Sequence, residues 1–265
     1  MTSHNCNAAA IRRIIIEQAQ RAGVGHIGSA LSIADIVAVL YGRILKNTDS
    51  ADQDRDRFVL SKGHAALALY AALFLSGEVN AEELASYCNE GTLLGVHPEH
   101  EVSGIDFTTG SLGHGLSFAV GAALAARLDN STRSVYALLS DAECNEGSVW
   151  EAVMFAAHHR LANLTAIIDC NGQQALAKTV DVLDMHPLSA RWQSFGWQVL
   201  QVDGHDEKAL ETALAGPRAD APRVILAQTV AGKGVSFMEG LVKWHYMPMN
   251  DGEYKQALAE IGEEL

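Results

Sequence analysis

The chain has 265 residues, 48% of them hydrophobic, a net charge of -13 and a pI near 5.2. That length and apolar content suffice for one domain over residues 1-265, and the acidity excludes the clustered Lys and Arg that duplex DNA or an anionic membrane surface requires. Cys6, Cys88, Cys144 and Cys170 show neither CxxC nor CxxH spacing, and they read as reduced thiols of a cytoplasmic protein.

The N-terminal MTSHNCNAAAIRR becomes helical in pattern almost at once, with Ile11, Ile14, Ile15 and Ala19 on one face, so it has no signal core. No run approaches the roughly 18 apolar residues of a membrane helix. Gly25, His26 and Gly28 read as a loop, and Ser32 followed by Asp35 resembles a capping box opening a helix over IADIVAVLYGRIL. A strand RFVLS, Arg57 to Ser61, leads through Lys62 and Gly63 into a helix starting near His64. Further helices are expected at Ala81 to Tyr87, Gly113 to Leu128, Ser148 to Arg160 and Glu207 to Ala215. Strands are expected at Val135 to Leu139, Leu164 to Asp169, Gln198 to Val202 and Arg223 to Thr229. Helix and strand signals alternate with no linker, repeat or low-complexity segment. The pattern predicts an α/β fold, a three-layer α/β/α domain with a mostly parallel central sheet.

Two apolar runs end in polar oxygen donors, one at Asp141 and the other at Asn171. Carboxyl ends of strands are where open α/β sheets bind ligands. A carboxylate, an amide oxygen and a backbone carbonyl just after Asn171 make a hard-oxygen set that suits Mg2+, with water and phosphate oxygens completing the octahedron. The small residues of TTGSLGHGLSFAVGAALAARL, Thr108 to Leu128, place a turn ahead of a helix whose free N–H groups attract an anion. The same residues also suit close helix packing through Gly115, Ala119, Gly121 and Ala122. One loop histidine is usually an ordinary surface or core residue, whereas His26, His64 and His97 together at turns point to a site.

SDAECNEGSVWEAVMFAAHHRLANLTAIIDCNG resembles the thiamine diphosphate motif of the transketolase family, which opens GDG and closes in an asparagine. GHIGSALS, LSKGHAALALY, GVHPE, TTGSLGHGLSFAVGAALA and the late GKGVSFMEG with KWH follow in the family's order, so the resemblance runs from about His26 to His245. It implies a thiamine-diphosphate-binding fold, and a divalent ion, Mg2+ with Ca2+ or Mn2+ as substitutes, on Asp141, the Asn171 side chain and the Gln173 carbonyl. It further implies that His64, the Gly110, Ser111 and Leu112 backbone, the Ala142 N–H, Asn171 and His245 hold the cofactor. His26, His97 and His245 would meet substrate hydroxyls. Glu146 matches a glutamate that in relatives links two active sites across an interface, and it also suits a carboxylate capping the helix from Ser148.

The chain departs from the family at Ser140 and Ala142, in place of the glycines of GDG, at Gly25-His26-Ile27 in place of GHP, and at Ala231 in place of a lysine. Relatives continue into pyrimidine-binding and C-terminal domains. The expectation is therefore the N-terminal subunit of a split transketolase, completed by a separately encoded C-terminal subunit, in a heterotetramer. It would pass a two-carbon ketol unit between a ketose and an aldose, phosphorylated or not, with no nucleic acid or membrane involved. The alternatives are a thiamine diphosphate subunit of 2-oxoacid or acyloin chemistry and a non-catalytic assembly subunit.

Overall fold

Among the described residues, aliphatic and β-branched runs bounded by polar turns form five strands, β1 (Arg57–Leu60), β2 (Val135–Ser140), β3 (Leu164–Cys170), β4 (Gln198–Asp203) and β5 (Arg223–Gln228). The computed structural model describes residues 6–262 other than 47, 48 and 50. The first residues of MTSHNCNAAAIRR lie outside the described residues. All five strands pair in parallel in the order β1-β2-β3-β5-β4. Parallel neighbours require crossover segments, which here are helical. In chain order the helices are α1 (Ala8–Ala22), α2 (Ile27–Ser32), α3 (Ala34–Val39), α4 (Ala66–Ser76), α5 (Ala81–Ala85), α6 (His114–Leu128), α7 (Gly147–His158), α8 (Thr179–Val182), α9 (Leu188–Ser194), α10 (Glu207–Ala215) and α11 (Asp251–Ile261).

Alternate strand residues face opposite layers. Phe58, Leu60, Tyr136, Leu138 and Ile225 join α1, α3 and α4 in one core. Val59, Ala137, Leu139, Ile168 and Leu226 join α6, α7 and α9 in the other. This is the expected three-layer arrangement, with every strand pairing parallel. Arg223, 1% exposed, begins β5 and donates to the carbonyls of Ala213, Leu214, Gly216 and Pro217, so one guanidinium satisfies the free end of α10. Among the described residues no helix is long and apolar enough to cross a membrane, and all four cysteines are free thiols.

Several local expectations need correction. Gly28 lies inside α2, where the sequence suggested a loop, and IADIVAVLYGRIL is not one helix but α3 followed by a π turn over Leu40–Ile44. Ser32 does not cap it. Its hydroxyl donates to the Ser29 carbonyl and to Asp169, and Asp35 accepts from Arg12 and His205. Both side chains are buried, so tertiary partners displace the local capping bonds. Gly121, expected in a packed helix face, is exposed with open space around it, whereas Gly115 does pack closely, since a Cβ there would lie 2.4 Å from Ser61 Oγ.

Candidate active site

Three histidines from distant parts of the chain meet at the carboxyl edge of the sheet. His26, His64 and His245 have ring centroids 5.2–5.5 Å apart. His26 begins α2 in a left-handed backbone conformation, φ 61, which costs on the order of 1 kcal/mol in a residue with a Cβ. Gly25 beside it lets the backbone of Tyr246 pack close, because a Cβ there would lie 2.1 Å from the Tyr246 carbonyl oxygen. His64 follows β1 in a 3-10 turn over Gly63–Ala65, and His245 ends a second such turn, Val242–His245, anchored by the buried Trp244. The Ser29 hydroxyl lies 3.3 Å from His245 Nδ1, and His26 Nδ1 is buried with no hydrogen-bond partner among the described residues.

The trio lines a cavity of about 320 Å3 shared with Ser29, Lys62 and the loops after β2 and β3. Gly110, Leu112, Ala142, Glu146, Asn171 and Gln173, all expected at the site, also line it. Ser111 and His97 border instead a neighbouring cavity of about 400 Å3 that shares Gly110. The His97 ring lies against Gly110, 3.2 Å from where a Cβ would stand, so one glycine separates His97 from the trio's cavity. Burial holds all three trio histidines below the usual histidine range. His245 falls to about 4, with His26 and Lys62 adding to the effect, while Lys62 adds to it at His64 and His97 at His26. Each is therefore neutral at pH 7 and free to accept a proton. The unfolded chain protonates its histidines near pH 6.5, so the stability contributed by these neutral rings is present above that value and is lost as pH falls toward 4.

The expected metal ligands stand at adjoining strand ends, because β2 and β3 pair Ser140 with Asp169. Asp141 is 6% exposed, and its carboxylate accepts the N–H groups of Ala142 at 2.9 Å and Gly172 at 3.0 Å. The Ala142 N–H, expected at the cofactor, is thus turned to Asp141. Asn171 Oδ1 accepts the Gln173 N–H at 2.9 Å, and a short hairpin pairs Gly172 with Thr179 and Gln174 with Ala177, leaving the intervening Gln173 carbonyl out of that pairing. Burial and the nearby Asp169 push the Asp141 carboxyl up to about 6, a penalty that a cation there would reverse. The donors are a carboxylate, an amide and a carbonyl oxygen. They fit Mg2+ or Ca2+ and would suit no soft metal.

Behind these ligands lies a network that sequence reasoning missed. Asp169 and Lys62 are fully buried and joined at 2.5 Å. The same carboxylate accepts from Ser32 at 2.7 Å, from Asn171 Nδ2 at 2.9 Å and from the Thr229 hydroxyl. The Asn171 bond fixes which end of the amide faces away, so Asp169 orients a prospective ligand. Glu143, also fully buried, accepts from Ser61 Oγ at 2.5 Å and Gly113 N–H at 2.8 Å. It thereby ties the end of β1 to the turn before α6. Ser140, in a glycine's place, is accommodated because its hydroxyl accepts the Glu143 N–H at 3.1 Å. Glu146 occupies the residue before α7, but its side chain makes no capping bond. A charge closing an apolar run was the available signal for Lys62 and Asp169, whereas Glu143 stands among polar residues and carries none.

The chain matches the family model described as transketolase, thiamine diphosphate binding domain, over residues 3–264. It is 41% identical to the 6-deoxy-6-sulfo-D-fructose transketolase subunit SqwG of Clostridium sp., across 98% of this chain and 96% of that protein. It is 38% identical to an apulose-4-phosphate transketolase subunit of Phocaeicola vulgatus, across 96% and 92% respectively. Among solved structures it superposes on the transketolase of Campylobacter jejuni with a TM-score of 0.90 at 30% identity. That match covers 98% of this chain and 43% of the other, so this chain spans less than half of that one.

Proposed function

The chain belongs to the transketolase family, as its thiamine diphosphate binding domain, and from that premise we propose that it is the diphosphate-side subunit of a two-subunit transketolase. The reaction is transfer of a two-carbon ketol unit from a ketose to an aldose in the cytoplasm, with thiamine diphosphate and Mg2+. The observation that carries this reading is the cavity in which three neutral histidines face Asn171 and Gln173 at the carboxyl edge of a parallel sheet. Neutral imidazoles suit a polyol substrate because each ring both accepts and donates a hydrogen bond.

Thiamine diphosphate, when bound, supplies the nucleophilic carbon and the electron sink for cleavage beside a ketose carbonyl. Asp141, Asn171 Oδ1 and the Gln173 carbonyl would hold a divalent ion, which would supply positive charge for the cofactor's diphosphate. His64 and the Gly110 to Leu112 backbone would position it. His26, with its unpartnered Nδ1, and His245 would orient substrate hydroxyls, and His97 would reach the substrate from across Gly110. Glu146, exposed at the cavity's edge, would stand at the interface with the partner. On this reading His26→Ala and His97→Ala lower turnover by about 10- to 10⁴-fold and change cofactor affinity far less, as steady-state kinetics beside calorimetry would measure. Full turnover in both variants at saturating ketose would remove their assigned role.

A separately encoded subunit carrying the pyrimidine and C-terminal domains would complete the site, in a heterotetramer of two chains of each kind. Support comes from relatives of this chain's own length that are named as subunits. The test is ketol transfer by the purified chain with thiamine diphosphate and Mg2+, alone and mixed with its C-terminal partner, against a panel of ketose donors. Turnover is expected only in the mixture. Robust turnover by the chain alone overturns the two-subunit reading.

A further inference from the structure

Gln174 follows the prospective metal loop in a hairpin closed by two backbone bonds, Gln174 N–H to the Ala177 carbonyl at 2.9 Å and Thr179 N–H to the Gly172 carbonyl at 3.0 Å. With its backbone so held, Gln174 is one of the residues lining the same cavity as His26, His64 and His245. Its Nε2 is buried and has no hydrogen-bond partner among the described residues. His26 Nδ1 shares both properties. Other buried unpaired atoms, on Thr165 and Trp192 for example, belong to β3 and the packed core and do not line the cavity.

A buried amide nitrogen without a partner lowers folding stability, and an apolar side chain of the same shape would fill the space without that penalty. The amide therefore makes physical sense where a bound molecule brings the missing acceptor. We propose that Gln174 is a specificity-determining residue of this cavity, its amide donating to an acceptor oxygen of the bound molecule, either a phosphoryl oxygen of thiamine diphosphate or an oxygen of the ketose. The inference rests on the proposed function of the same cavity. It adds a side-chain donor that no motif of the sequence singled out, and it sits on the hairpin that presents the Gln173 carbonyl.

The experiment compares wild type with Gln174→Met and Gln174→Glu, each combined with the C-terminal partner. Calorimetric Kd for thiamine diphosphate with Mg2+ and steady-state KM for the ketose are measured, together with Tm of the unliganded chain. In Gln174→Met the unliganded Tm stays level or rises, because an unpaired buried donor has been removed. One of the two constants rises about tenfold, the loss expected for one good hydrogen bond. A rise in Kd with KM unchanged assigns the acceptor to the cofactor, and Gln174→Glu then loses more, since its charge opposes the diphosphate. A rise in KM with Kd unchanged assigns the acceptor to the ketose. Kd and KM both within about twofold of wild type overturn the proposal, whatever happens to Tm. Failure of the wild-type pair to bind thiamine diphosphate at all would instead sink the reading of the cavity, and this inference with it.

Discussion

Replacing Asp141 with alanine should abolish Mg2+-dependent binding of thiamine diphosphate while leaving the fold intact. The carboxylate is the one charged donor in the oxygen set, and the remaining amide and carbonyl oxygens are neutral dipoles that hold a hydrated divalent ion weakly. The loss should be at least about 100-fold in affinity, because removal of a ligand exceeds the 10- to 100-fold typical of the groups behind ligands. The fold survives because the Asp141 side chain bonds only to groups at the sheet's loop edge, the N–H groups of Ala142 and Gly172 and, at 3.5 Å, the Thr179 hydroxyl, and holds none of the strand pairing. Wild-type cofactor affinity in this variant, by calorimetry on the reconstituted pair, would end the assignment.

The same carboxylate carries a pH signature. Its pKa rises on folding from 3.8 to about 6, through burial first and Asp169 second. Between those values the folded chain keeps a proton that the unfolded chain has released. This group's contribution is therefore full below about pH 4 and is lost as pH climbs through 6. Asp141→Asn should remove that slope from a plot of metal-free Tm against pH and leave the metal-free variant more stable than wild type at pH 8. Mg2+ with thiamine diphosphate should then raise Tm at pH 8 in wild type only.

Lys62→Met should be the most destabilising single change at the site. Lys62 and Asp169 are both 0% exposed, and removing one partner of a buried pair leaves the other charged and uncompensated, at a cost of about 3–5 kcal/mol. For a chain of this size that corresponds to a fall in Tm on the order of 10 °C. Asp169 retains Ser32, Asn171 and Thr229, which soften the loss without neutralising the charge. Adding Asp169→Asn to Lys62→Met should recover much of the stability, because a neutral amide costs far less to bury than a carboxylate. A Tm within about 2 °C of wild type for Lys62→Met alone would show that the pair is not held as the structure has it.

The strands were legible in the sequence because their signal is local. Aliphatic runs such as VYALLS and LTAIIDC, each ending in polar residues, mark buried parallel strands whatever surrounds them, and their observed ends fall within one residue or so of expectation. The order of the motifs along the chain likewise sufficed for the family. What the runs cannot encode is which strand lies beside which, and the order β1-β2-β3-β5-β4 brings Asp141 beside Asp169 and Asn171.

Only the tertiary structure decided what the polar residues do. Ser32 and Asp35 satisfy a local capping pattern equally well on paper, yet each is buried, and a buried polar group bonds to whatever partner the packing brings, here Asp169 for one and Arg12 with His205 for the other. His26, His64 and His245 are far apart in sequence, and their rings converge because the packing of the helix layers brings segments 25–28, 62–65 and 242–246 over one strand edge. His97 carries the same kind of motif signal and ends up on the far side of Gly110. Asp169, Lys62 and Gln174 show no spacing rule at all. Their roles follow from burial, which the sequence by itself does not state, because the cost of an enclosed charge or amide appears only once the groups around it are in place.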